Sequence, residues 1–164
     1  MYKNSLILLG VVLAGALAAC AAPGSSGPIT DAEFETDALV QRWVDMWNSY
    51  DLSLVEELFL TDHRVSYFSS EKQGVIHGIA AVREHHREFG FVEGGKSQGS
   101  RLRVDDVETD VFDGSAVVTG LWSFQRPDTG PEGLQRGPVT IVFVRHRGVF
   151  RIAHMHFATY LDEE

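Results

Sequence analysis

The apolar residues of this chain change their period once, near residue 100, and that change limits the layers it can build. Before it, Leu39, Trp43, Met46, Trp47 and Tyr50 recur at three- and four-residue steps, the signature of an amphipathic helix. Thr30 and Glu33 have capping-box spacing, so this helix is expected from about Asp31 to Tyr50. Ser53 and Glu56 repeat the spacing and open a short helix that turns Leu54, Val55, Leu58 and Phe59 inward. Brief strands are expected at Arg64 to Ser69 and Val75 to His77. A third helix, Gly78 to Phe89, carries Ile79, Val82, His86 and Phe89 on one stripe and turns His85 outward.

Past the glycine-rich loop Gly90 to Ser100, alternation takes over. Leu102 to Phe112 alternates with a slip at Asp105-Asp106, which predicts a bulge. Asp113-Gly114 is a hairpin turn, and Ala116 to Gln125 is the returning strand. A long loop follows from Arg126 to Gly137, then strands Val139 to His146 and Val149 to Tyr160, joined at Arg147-Gly148. Helices first and a meander afterwards predict an α+β domain, its three helices packed on one face of a curved, mainly antiparallel sheet.

The N-terminus has a separate character. Lys3, an apolar run from Leu6 to Ala19 and small residues before Cys20 form a secretory signal. Leu17-Ala18-Ala19-Cys20 resembles the lipobox of bacterial lipoproteins, which implies acylation of Cys20, for example by palmitate. The expected division is residues 1–19 as signal peptide, 20–30 as flexible tether and 31–164 as one domain, exported to the cell envelope and held to a membrane. Cys20 is the single cysteine, so the domain must hold itself by packing. Fourteen basic residues against 23 acidic ones give a net charge of −9 without a basic cluster. Nucleic acid and anionic lipid are therefore poor partners.

The order of elements resembles the nuclear transport factor 2-like superfamily, within it the SnoaL-like and calmodulin-dependent-kinase association-domain-like bacterial proteins. Trp43-Val-Asp-Met-Trp47-Asn48 through Asp51 is similar to that family's first helix and turn. Val65-Ser-Tyr67-Phe68, His77-Gly78 and Ala81-Val82-Arg83-Glu84 are similar to its first strand and third helix. Val118-Thr-Gly120-Leu-Trp122 and Phe150-Arg-Ile152-Ala-His154-Met-His156-Phe-Ala158 are similar to its sheet. The resemblance implies a cone-shaped half-barrel, open at one end, and a homodimer through the sheet. It implies no single activity, because one cone hosts isomerases, cyclases, dehydratases and assembly domains. The better-known isomerases and cyclases use an aspartate inside the cone. Here the expected inward positions offer histidine and tyrosine, while Asp105, Asp106 and Asp110 fall at a bulge and near a turn.

His154 and His156 lie two apart on a strand and so share a face. Phe150, Ile152 and Ala158 are expected on it too, which would turn both imidazoles toward an apolar interior and favour their neutral form. Three readings stay open for the pair: hydrogen-bonded core residues, general acid and base, or metal ligands without a third partner. Tyr67 and Ser69 offer hydroxyls from the first strand. Trp47, Phe59, Trp122 and Phe124 are expected to line a pocket for a flat apolar ligand, with His77 at its mouth. Gly94-Gly95-Lys96 lacks the continuation of a phosphate loop. No metal and no cofactor are expected.

These residues favour a membrane-tethered module whose cone holds a small apolar or aromatic molecule. One alternative is an enzyme with His154 or His156 as general base and Tyr67 donating to a developing oxyanion. The other is a dimeric assembly module whose cone is filled by its own side chains.

Overall fold

The computed structural model describes residues 30–160. The signal peptide, Cys20 and the tether as far as Ile29 lie outside the described residues, as do residues 161–164. Helix α1, Asp31–Ser49, starts at the expected capping box: Glu33 N–H donates to Thr30 Oγ1 at 3.2 Å, and Thr30 N–H donates to the Glu33 carboxylate at 2.6 Å. It stops at Tyr50, whose left-handed backbone (φ 56°) returns its N–H to the Met46 carbonyl. Val40, Trp43, Val44, Met46 and Trp47 form its buried face. Among the described residues no helix is long and apolar enough to cross a membrane.

Helix α2, Ser53–Leu58, forms where expected but without a capping box. Asp51 takes that role, accepting from Ser53 N–H at 2.9 Å and from Gly94 N–H at 3.0 Å. A carboxylate that accepts at this turn and also bonds the glycine loop outcompetes a serine hydroxyl. Gly94 and Gly95 sit at φ of 73° and 79°, and Lys96 N–H donates to the Ser49 carbonyl at 2.8 Å. The loop's amides thus serve its own chain.

Strand β1 is Ser66–Phe68, β2 is Ile76–His77, and helix α3 between β2 and the meander is Ile79–Glu88. The meander is β3, Arg101–Phe112; β4, Ser115–Gln125; β5, Gln135–His146; and β6, Val149–Phe157. All six strands form one sheet in the order β2-β1-β6-β5-β4-β3, antiparallel except where β1 lies parallel to β6. The expected long loop is shorter, ending at Leu134, because Gln135, Arg136 and Gly137 pair with Phe124, Ser123 and Trp122. Gly137 is therefore a strand residue, required by close approach: a Cβ there would lie 1.9 Å from the Ala158 carbonyl oxygen.

Two bulges bend the sheet. One, between Asp105 and Glu108, is the expected slip, with Asp106 at φ 52°. The other was not legible. Val142 pairs with His154 and Phe143 with Ile152, which leaves Ala153 as the extra residue on β6. An extra residue inverts which side chains face inward. Phe150 and Ile152 are buried before it, and Met155 and Phe157 after it.

Helix α1 crosses the concave face, where the Trp43 and Phe157 rings lie 5.4 Å apart. Its first turns meet the hairpin ends: Glu35 accepts from Phe150 N–H and from Arg145, each at 3.2 Å, and Arg145 N–H donates to the Gly114 carbonyl at 2.8 Å. The cone is closed at this end. It opens at the other, beside the last turn of α1.

Candidate ligand pocket

At the open end, Trp47 of α1, Tyr67 of β1, His85 and Phe89 of the α3 region and Trp122 and Phe124 of β4 surround a cavity of about 30 Å³. That is room for one water-sized group. Outside it lies a vestibule of about 370 Å³, walled by Glu71, Lys72, His85, Glu88, Phe89 and Arg126. The two spaces share Glu71, His85 and Phe89. A larger open groove, about 470 Å³, runs between α1 and β3, but no unpartnered buried nitrogen lines it.

The inner cavity is apolar in its walls and polar at a few tips. Trp47 is held by Phe89, Phe91 and Phe124, at ring separations of 5.3, 5.1 and 6.0 Å. Four buried side-chain nitrogens lack a hydrogen-bond partner among the described residues: Trp43 Nε1, Trp47 Nε1, His85 Nε2 and His86 Nε2. Two of the four belong to cavity-lining residues, Trp47 and His85, which are 6% and 5% exposed. Leaving such a group unpaired costs about 1–3 kcal/mol. An indole N–H only donates, so whatever satisfies Trp47 must be an acceptor.

Burial lowers the pKa of His85, with the Lys72 charge adding to it, so the ring is kept neutral. Burial, reinforced by the charge of Glu71, holds the Tyr67 phenol well above its ordinary value, so it remains a donor. The vestibule is bridged by Lys72 to Glu88 and Arg126 to Glu71, both at 3.4 Å. Exposed pairs of this kind are worth at most about 1 kcal/mol, a loose closure.

The expected site residues divide. Trp47, Tyr67, Trp122 and Phe124 line the cavity. Phe59 is fully buried behind it, 6.4 Å from the Tyr67 ring and 5.9 Å from His86, and serves as packing. His77 is exposed on β2, paired in register with Ser66, and is not among the lining residues. His154 and His156 do not enter the cone. The Ala153 bulge turns both to the outer face, opposite Tyr67, whose register partner is the buried Met155. There His154 Nδ1 lies 2.8 Å from Ser66 Oγ, and both imidazoles meet the Phe68 ring edge-on. Burial and the neighbouring His156 lower the His154 pKa.

His85 is the residue that the helix stripe missed. Val82, His85, His86 and Phe89 follow one another at helix-face spacing, so the signal was present; a stripe broad enough to include both histidines recovers it. Among the described residues, no group of three or more histidine, cysteine, aspartate or glutamate side chains is arranged to hold a metal ion.

A profile of the SnoaL-like domain matches residues 37–162, from the first turns of α1 to beyond β6. The chain belongs to the SnoaL-like domain family. Solved structures agree on the fold of this SnoaL-like domain. A nuclear transport factor 2-like superfamily protein from Salmonella enterica superposes with a TM-score of 0.66 at 19% identity, over 80% of this chain and 92% of that one. A nuclear transport factor 2-like protein of unknown function from Pseudomonas putida gives 0.69 at 18% identity, over 81% and 89%. The association domain of C. elegans CaMKII gives 0.60 at 19% identity, over 76% and 93%. No curated protein sequence matches the chain.

Proposed function

We propose that this SnoaL-like domain binds a small amphipathic molecule end-on. An acceptor group, such as a carbonyl, enters the cavity of about 30 Å³ between Trp47, Tyr67 and His85, while the body of the molecule stacks on Phe89 and extends into the charged vestibule of Glu71, Lys72, Glu88 and Arg126. The observation that carries this reading is the pair of unpartnered buried nitrogens, Trp47 Nε1 and His85 Nε2, on residues lining one cavity. The inner cavity is too small for a whole ring, so the ligand is not engulfed but capped. A titration of residues 29–164 with aromatic and alicyclic ketones, each beside its parent hydrocarbon, tests it. Ketones should raise the unfolding temperature and perturb tryptophan fluorescence, and the hydrocarbons should not. Equal responses, or none, would defeat the reading.

Catalysis is a second reading, favoured by one contact: the neutral His85 ring lies 5.3 Å from the Tyr67 phenol, a base beside a donor. Turnover of a bound ketone, lost in His85→Gln, would distinguish it from binding alone.

We also infer that acyl chains on Cys20 tether the domain to a bacterial envelope membrane. Labelled palmitate incorporated by the wild type and not by Cys20→Ala is the expected result. A second copy fits the outer sheet face, where Phe68 on β1, against His156, and Leu121 on β4 are exposed. Sedimentation of a Leu121→Glu variant against the wild type tests that arrangement.

A further inference from the structure

The closed end of the cone is where the described chain begins, and it carries side chains that the fold does not use. Phe34, on the first turn of α1, is 72% exposed, and Phe112, beside the β3–β4 turn, is 58% exposed. These are the two most exposed large apolar side chains among the described residues. Val149, at the tip of the β5–β6 hairpin, is 45% exposed. The contacts of Glu35 with Phe150 and Arg145, and of Arg145 with Gly114, bind α1 and both hairpin tips into one end. Tyr160 at 52% and Leu134 at 45% are also exposed, away from this end, but Phe34 and Phe112 exceed both, and that excess singles out this end.

We propose that this end is a membrane-facing surface, with Phe34, Phe112 and Val149 resting in the interface of the bilayer that holds the tether. The proposal rests on the tether reading above. Cys20 is ten residues from Thr30, so even a fully extended connection spans no more than about 35 Å. Thr30 caps α1 at this same end. A short tether leaving from an apolar-tipped end keeps that end near lipid, where each buried methylene is worth about 0.8 kcal/mol. The charges at this end are mainly acidic, with Asp31, Glu33, Glu35 and Asp113 against Arg145 and Arg147, so contact depends on the apolar tips and not on attraction to anionic lipid. Orientation follows. Helix α1 has 19 residues, about 28 Å, and the pocket opens at its far end. The mouth faces away from the membrane, toward the aqueous phase that supplies the ligand.

The test uses the full chain, acylated during expression with labelled palmitate and reconstituted in phosphatidylethanolamine–phosphatidylglycerol vesicles. A fluorophore is attached at position 34, 112 or 149, or at Asp128 near the mouth, through a single introduced cysteine, and bilayer nitroxide lipids are the quencher. With palmitate on Cys20, quenching at 34, 112 and 149 at least twofold stronger than at 128 is the expected result. Palmitate present with equal quenching at all four positions, or stronger quenching at 128, overturns the orientation and leaves the tether intact. Absence of palmitate overturns tether and orientation together.

Discussion

The rings of Tyr67 and His85 stand 5.3 Å apart, tilted by 53°, one from the first strand and one from the third helix. Neither belongs to the meander that makes most of the sheet. The site therefore depends on how α3 is docked, and its polar tips are brought together by tertiary packing alone.

If His85 serves a ligand and not the fold, removing its unpartnered nitrogen should not harm the empty protein. His85→Leu should leave stability unchanged or raise it by up to about 1 kcal/mol, since an unpaired buried polar group is itself costly. Ketone affinity should drop about tenfold, which is about 1.4 kcal/mol. Urea denaturation and fluorescence titration on the same variant measure both. A loss of more than about 2 kcal/mol without ligand would make His85 a structural residue.

Stability should fall on mild acidification, and His86 is the main reason. It is fully buried among Trp47, Phe59, Tyr67 and Phe91, beside His85, and its Nδ1 lies 2.8 Å from the Val82 carbonyl oxygen. Burial lowers its pKa from 6.5 to about 4. In the unfolded chain the ring protonates below about 6.5; in the folded one it resists until about 4. The unfolded state therefore binds more protons between those values, and stability drops as pH falls through that window. The span corresponds to about 3 kcal/mol, and above pH 6.5 this group contributes no dependence. His85, lowered in the same direction, adds to the slope. Urea midpoints between pH 5 and 6.5 should show the decline, and His86→Met should flatten most of it.

The helices and the meander were legible because each rests on a period that many residues repeat. Trp43, Met46 and Trp47 lie on the buried face that their spacing requires. Alternation alone places the histidine pair inside, because a bulge is a single-residue event that leaves no mark on the period. Ala153 carries no turn chemistry, and its displacement is set by the pairing of Val142 and Phe143 across the sheet. One unpaired alanine was enough to move His154 and His156 from the inside to the outside. For Phe59, the period gives an inward side chain but not its depth: it packs behind the cavity instead of lining it.

It follows that His154 and His156 should be dispensable to the pocket. His154→Ala loses the contact with Ser66 and should cost about 1 kcal/mol, whereas His156→Ala, already exposed, should cost less. Both should bind ketone with wild-type affinity. A tenfold loss in either variant would mean that the outer face is coupled to the cone.

The far wall of the pocket is held by one backbone carbonyl, that of Ala158. Trp122 Nε1 donates to the Ala158 carbonyl at 2.9 Å, and that carbonyl passes directly over Gly137, the strand partner of Trp122. A methyl at position 137 would lie 1.9 Å from the oxygen, an overlap that no side-chain rotation relieves. Gly137→Ala should lift residues 158–160 and strip Trp122 of its acceptor, at about 3 kcal/mol from overpacking and the lost hydrogen bond. Trp122→Phe loses the same hydrogen bond and part of a buried ring and should cost about 2 kcal/mol. Because both changes break the same contact, the double variant should be less destabilised than the sum of the two. Additive costs from denaturation curves would show that Gly137 and Trp122 support the wall independently.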